Sequence, residues 1–327
     1  MFFPRRIPVA GLLALLLTPT LPACSGSSEP QAVFCAKVIT QGRESGGPLA
    51  ASGNFVYAGG TGSIAIFELS KRGGLVLLDH ALAFPTQVDG LGVGGNRMVA
   101  SGGNLVVLFD LTDPRNPVEI GRLNTAASSP NSVVINGNFA FVGTSSGNIG
   151  VIDVTGPAPK LINQTGGGPA AITGIAISGS TLYAGGGANS GMMVFDISDP
   201  AHPQQAPTIA VGPGGKIQGL AVDQGALFAF TFQGVGQMVA QRFDISSPLA
   251  PKMVATSTAS TIDSTPGSAQ VTTLHGLFIA GEELALFGWK EDKIADAPSQ
   301  VGNGLCLTQP FGIQHALAVG DSLVISR

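Results

Sequence analysis

Charge is scarce in this chain. Lys, Arg, Asp and Glu make up only 11% of its 327 residues, and the formal net charge is −4. Without a basic excess there is no electrostatic footprint for nucleic acid, so that class of partner is excluded. Histidine is scarce too. The four are His80, His202, His275 and His315, and no two stand at metal-ligand spacing. No carboxylate pair recurs at equivalent positions of neighbouring segments, and Glu282-Glu283 reads as a solvated turn. No stretch beyond the N-terminus sustains a 3.6-residue apolar period, which excludes long helices. What the chain does have is 47 Gly and 22 Pro, enough to punctuate many short strands.

The N-terminal stretch stands apart. Arg5 and Arg6 precede an apolar run from Ile7 to Leu17, too short to span a bilayer as a helix. Residues 1–24 therefore read as an export signal. It ends Leu21-Pro22-Ala23-Cys24, which resembles a bacterial lipobox, although Pro22 departs from the usual small or aliphatic residue. That resemblance implies lipidation at Cys24. Ser25 follows where aspartate is absent, which by likeness to Gram-negative lipoproteins implies the outer membrane. Residues 25–31 read as a flexible tether. Losing Arg5 and Arg6 takes the formal charge from −4 to about −6.

Beyond residue 32 the chain repeats itself. Phe195-Asp196-Ile197-Ser198-Asp199-Pro200-Ala201-His202-Pro203 returns as Phe109-Asp110-Leu111-Thr112-Asp113-Pro114-Arg115-Asn116-Pro117 and, shortened, as Phe243-Asp244-Ile245-Ser246-Ser247-Pro248. Weaker copies begin at Phe67 and Ile152. Each phrase reads as a strand with alternating large apolar residues, then a turn whose aspartates accept backbone hydrogen bonds. Upstream of each lies a hairpin signal, with turn glycines Gly53, Gly95, Gly137 and Gly179 spaced 42 residues apart. Later units centre on Gly225, Gly276 and Gly320. The last stops after two strands, and Ala32–Thr40 is the candidate to complete it.

Seven units of about 42 residues, with the last split between both ends, match an all-β, seven-bladed β-propeller closed by strands from both termini. The propeller spans 32–327. A linear array would need capping ends, and none is visible. The Asp-Ile-Ser-Asp-Pro-Ala-His-Pro phrase with its preceding hairpin resembles the bacterial LVIVD-repeat family, most fully in units two and four. The resemblance implies an exported propeller and brings no established chemistry.

Two motifs fail on context. Gly90-Leu91-Gly92-Val93-Gly94-Gly95 fits G-x-G-x-x-G, but it leads into a second strand rather than a helix. Gly143-Thr144-Ser145-Ser146-Gly147 fits G-x-S-x-G, yet falls on a turn between two strands. Asn163-Gln164-Thr165 is a glycosylation sequon by pattern alone.

No cofactor or metal is implied. A non-catalytic binding or scaffolding propeller on the cell envelope is favoured, with an unknown envelope protein or surface ligand as partner and the membrane reached through the lipid anchor. The alternative is a hydrolase or lyase with its site at the central channel; fold alone does not choose. In either case the residues opening the innermost strands are the candidate binding positions: Asp89, Asn131, Thr173, Gln218, Gln270 and His315. They are polar and mutually different. Cys35 and Cys306 remain after lipidation. If Leu305-Cys306-Leu307 is the outer strand of unit six, the two could bridge the ring and stabilise it by roughly 4–5 kcal/mol in the chain-entropy view.

Overall fold

The computed structural model describes residues 47–260 apart from short segments at 71–74, 126–128, 169, 188–190, 213–214, 224 and 233–236. Outside that span it describes the backbone of individual strands. At the N-terminus these are β1 (Leu15–Thr18) and β2 (Cys35–Val38), an antiparallel pair.

Five four-stranded antiparallel sheets follow in strict chain order. The first holds β3 (Leu49–Ser52), β4 (Phe55–Gly59), β5 (Thr61–Leu69) and β6 (Leu75–Gln87). The second holds β7 (Gly90–Gly94), β8 (Arg97–Gly102), β9 (Leu105–Asp110) and β10 (Val118–Asn124). The third holds β11 (Pro130–Asn136), β12 (Phe139–Thr144), β13 (Asn148–Asp153) and β14 (Lys160–Gly166). The fourth holds β15 (Ile172–Ser178), β16 (Thr181–Gly186), β17 (Met192–Asp196) and β18 (Gln204–Ile209). The fifth holds β19 (Lys216–Asp223), β20 (Ala226–Phe232), β21 (Gln237–Asp244) and β22 (Lys252–Ser260).

A sixth sheet joins β23 (Thr272–Leu274), β24 (Leu277–Ala280), β25 (Ala285–Lys290) and β26 (Lys293–Ile294). A final pair joins β27 (His315–Val319) and β28 (Ser322–Ser326). Successive first strands lie side by side, from β3 through β7, β11, β15, β19 and β23 to β27. β27 also lies beside β3, and Leu317 packs on the first sheet's cluster of Leu49, Val56 and Phe67.

The core is a series of layers between sheets. Tyr57, Ile64 and Ile66 of the first sheet meet Met98, Ala100, Val107 and Phe109 of the second. The other face of the second sheet presents Val99, Val106 and Leu108 to Ala140, Val142 and Ile152 of the third. The sequence reading expected one apolar face per strand. Instead Met192, Met193, Val194 and Phe195 are all buried. A sheet covered on both faces reads as an unbroken apolar run in its middle strands, as in covered parallel sheets.

The turns set two distinct ends. Gly53, Gly95, Gly137 and Gly179 have φ of +57° to +58°, the left-handed region that primed two-residue turns demand at their first position. These hairpin turns and the proline phrases share one end, because each lies one strand-reversal pair apart. The residue after the strand-ending acidic residue of each third strand ties them together. Leu69, Leu111, Val154 and Ile197 donate their amides to the carbonyls of Asn54, Asn96, Asn138 and Ser180 at 2.7–3.0 Å.

Within the phrase, the strand-ending aspartate holds the turn. Asp110 Oδ1 accepts from the Thr112 amide at 2.9 Å and hydroxyl at 2.7 Å, and Asp153 does the same with Thr155 at 2.8 and 2.7 Å. Asp196 and Asp244 accept the Ser198 and Ser246 amides, each at 2.8 Å. These bonds hold all four carboxyls below the usual carboxylate range. The second aspartate, Asp199, accepts the Ala201 amide at 3.2 Å and faces His202 Nδ1 at 2.8 Å.

The turn then receives bonds from the preceding sheet. Tyr57 Oη donates to the Pro114 carbonyl at 2.7 Å, and Tyr183 Oη to the Pro248 carbonyl at 3.0 Å. These are the chain's only two tyrosines, and both have fully buried side chains. Burial raises both phenols, Tyr183 to about 12, so each stays a donor at any physiological pH. Removing either hydroxyl should cost about 1–2 kcal/mol, the net value of a partly buried hydrogen bond. Tyr57→Phe and Tyr183→Phe are expected to lower the urea midpoint with an unchanged slope. Wild-type midpoints in both variants would show that the bonds contribute nothing.

Candidate functional site

The residues expected to open the innermost strands share a structural device. Pairing between first and second strands slips between Pro130 and Ser132, between Ile172 and Gly174, and between Ile217 and Gly219. Asn131, Thr173 and Gln218 are therefore the extra residues of three equivalent β-bulges. A bulge unpairs its residue from the ladder and re-aims its side chain. Asp89 occupies the corresponding place, just before Gly90 pairs with Ser101. These four lie at the end opposite the proline phrases. The sequence located the positions but gave no sign of the bulges.

Neighbouring first strands approach closely here. A Cβ on Gly174 would stand 3.0 Å from the Gly219 Cα, so glycine at 174 permits backbone to meet backbone. On Gly92 it would stand 2.8 Å from a Val133 methyl. This close approach explains the G-x-G-x-x-G pattern: β7, its turn and β8 form a hairpin whose glycines admit the next sheet. The G-x-S-x-G serine, Ser145, is likewise a turn residue just past β12, and its amide donates to the Ser129 carbonyl at 2.8 Å.

The four side chains have different fates. Asp89 Oδ2 accepts the Gly103 amide at 3.3 Å. Burial pushes its carboxyl up, and the Gly103 bond opposes that rise. The Thr173 hydroxyl donates to the Ile217 carbonyl and so ties the fourth sheet to the fifth. Asn131 is half-buried. Gln218 is only 1% exposed, and its Oε1 has no hydrogen-bond partner. The neighbouring small residue of the third sheet, Ser132, also has an unpartnered Oγ. Sequence reading missed Ser132, because a serine following a strand-opening asparagine carries no distinguishing signal.

Gln270 lies outside the described residues, and His315 is described only as the backbone residue that opens β27. Cys24 and Cys306 also lie outside, while Cys35 opens β2. The fourth strand of the sixth sheet is β26 (Lys293–Ile294). Leu305–Leu307, expected in that place, lies outside the described residues, and the expected Cys35–Cys306 bridge with it. Among the described residues, no group of three or more His, Cys, Asp or Glu could hold a metal ion.

An unpartnered buried amide oxygen costs about 1–3 kcal/mol. Gln218→Met keeps the volume and removes the orphan, so it should raise stability by about 1 kcal/mol. A lowered thermal midpoint would mean that the glutamine is a structural residue.

The LVIVD repeat family matches residues 129–162 and 171–208, the third sheet and the fourth. The second sheet, whose phrase is as full as the fourth's, is not among the matched residues. No curated protein matches the chain. Among solved structures, the chain is similar to the WD40 β-propeller domain of Doa1, at 10% identity and a TM-score of 0.64 over 97% of both chains. Identity at that level shows the fold alone. The chain carries LVIVD repeats at residues 129–162 and 171–208 and has a β-propeller fold.

Proposed function

We propose that the chain is a non-catalytic binding or scaffolding propeller of the bacterial cell envelope, lipid-anchored through Cys24 to the outer membrane. Its ring has seven blades. The contact of β27 with both β23 and β3 supports this count. The closing blade then joins β27 and β28 to β1 and β2, since β1 lies beside β28. In the full-length chain the third-strand place is thus held by Leu15–Thr18, at the end of the apolar run of the export signal. Removing residues 1–23 on processing would leave Cys35–Val38 as the N-terminal strand of that blade.

The binding site is the channel mouth at the bulge end. One observation carries this reading: Gln218, almost fully buried, keeps an unsatisfied acceptor at a bulge repeated around the mouth. Folding alone gives no reason to bury such an atom. A ligand or partner group that donates a hydrogen bond there would relieve it.

Two experiments test the reading separately. Cys24→Ser should move the protein from the membrane fraction to the soluble fraction and abolish palmitate labelling. Unchanged membrane retention would sink the anchor. Affinity capture from envelope membranes should recover a specific partner with the wild type. With Asp89→Ala, Asn131→Ala and Gln218→Ala combined, its recovery should fall at least tenfold. Equal recovery would move the site away from the mouth.

A further inference from the structure

Eight large hydrophobic side chains stand exposed among the described residues, and all eight lie on one rim. Seven fall within the first three residues of an outer strand. They are Val76 and Leu77 on β6, Val118 on β10, Leu161 and Ile162 on β14, and Met253 and Val254 on β22. The eighth, Leu249, lies in the phrase immediately before β22. Their exposures run from 38% to 64%. Scattered exposed apolar residues need no explanation, but confinement of all of them to one level does.

The register fixes that level. Leu77 pairs with Phe67, Leu161 with Ile152, and Met253 with Phe243. Each partner directly precedes the acidic residue of its phrase, Glu68, Asp153 or Asp244. The three therefore stand at the same height on three blades. Val76 and Val118 occupy the preceding step, opposite Glu68 and Asp110. On the third and fifth blades that step holds an exposed cation instead: Lys160 opposite Asp153 and Lys252 opposite Asp244. The fourth blade breaks the belt with Gln204 and Gln205.

We infer that this rim rests on the surface of the lipid bilayer that holds the anchor. The inference deepens the envelope reading above and rests on it for the direction of the tether. A belt repeated at one height on four blades is what a plane meets; a globular partner would touch one or two neighbours. Outer strands begin at this rim, and β2 is the outer strand of the closing blade in that reading. Where β2 keeps that place after residues 1–23 are removed, the tether from Cys24 to Cys35 joins the propeller at the same end, and eleven residues reach at most about 40 Å. The apolar tips would enter the headgroup–acyl boundary. Lys160 and Lys252 would lay their stems along that apolar surface and reach lipid phosphates. The acidic groups nearby do not oppose this as a free field. Arg115 pairs with Glu68 at 2.6 Å and Arg97 with Asp110 at 3.3 Å, and the Lys160 and Lys252 charges help hold Asp153 and Asp244 down. The mouth with Gln218 would face away from the membrane, open to a partner.

Amide exchange tests this on the processed, lipidated chain, at one copy per nanodisc of phosphatidylethanolamine and phosphatidylglycerol. The reference is the Cys24→Ser chain free in solution. Exchange at 160–163 and 252–255 should slow about tenfold on the disc. Leu161→Asp combined with Met253→Asp should abolish that slowing while leaving β12 and β20 protected and the lipid attached. Equal rates on disc and in solution would overturn the inference. So would slowing confined to the opposite-end turns at 102–104 and 144–147. Slowing that requires several copies per disc would assign the rim to self-contact instead. If Cys24 takes no palmitate, the anchor reading fails by itself. The rim is then judged by co-sedimentation of the unlipidated chain with the same vesicles, which the double substitution should reduce about tenfold.

Discussion

The joint between neighbouring sheets is the constraint on which this structure depends. Each sheet is only four short strands and cannot bury both of its faces alone. It must dock on the next, and the proline turn is where docking is aligned. The first sheet reaches the second's turn through Tyr57 on Pro114, His80 Nε2 facing the Arg115 carbonyl at 2.9 Å, and the Glu68–Arg115 ion pair. The third reaches the fourth's through Asn163 Nδ2 on the Ala201 carbonyl at 2.8 Å, and the fourth reaches the fifth's through Tyr183 on Pro248. Between second and third the phrase is reduced to Gly156-Pro157. There Gly121 lies so close that a Cβ would stand 2.9 Å from Ala158. Shape replaces the hydrogen bond at that joint.

This arrangement explains why the phrase is the part of the sequence that repeats most visibly. The turn must present carbonyls at fixed positions to a neighbour built from different residues. Proline removes a competing amide and fixes φ. Aspartate locks the turn through its own Thr or Ser partner. The surfaces that fill the space between sheets face a looser demand. Apolar bulk of about the right volume suffices there, so the position that holds Tyr57 and Tyr183 on two sheets holds Val99, Phe141 and Phe228 on others.

Legibility in the sequence follows the same division. Turn glycines, proline phrases and the apolar middle strands were readable because each reports a local backbone requirement. The bulges at Asn131, Thr173 and Gln218 were not, since a bulge arises from pairing between two strands and leaves no mark in either alone. Past β25 the phrase is absent, so nothing local marks Lys293–Ile294 as the fourth strand of the sixth sheet. The candidate positions at the mouth were found, but their partners were not: neither the tie from Thr173 to the next sheet nor the solitude of Gln218 follows from residue type.

The two ends of the ring therefore carry different burdens. At the phrase end the aspartates are already bonded by their turns. At the bulge end, Asp89 and Thr173 are partly committed, while Gln218 and Ser132 keep unsatisfied atoms in buried positions. A polar atom left unpaired inside a packed ring lowers stability without helping the sheets to dock. An apolar residue at 218 would serve the blade better, as Ile217 beside it shows. The bulge that aims Gln218 out of the ladder makes sense as a feature retained for an occupant of the mouth, and it is on this residue that the choice between a structural ring and a binding one turns.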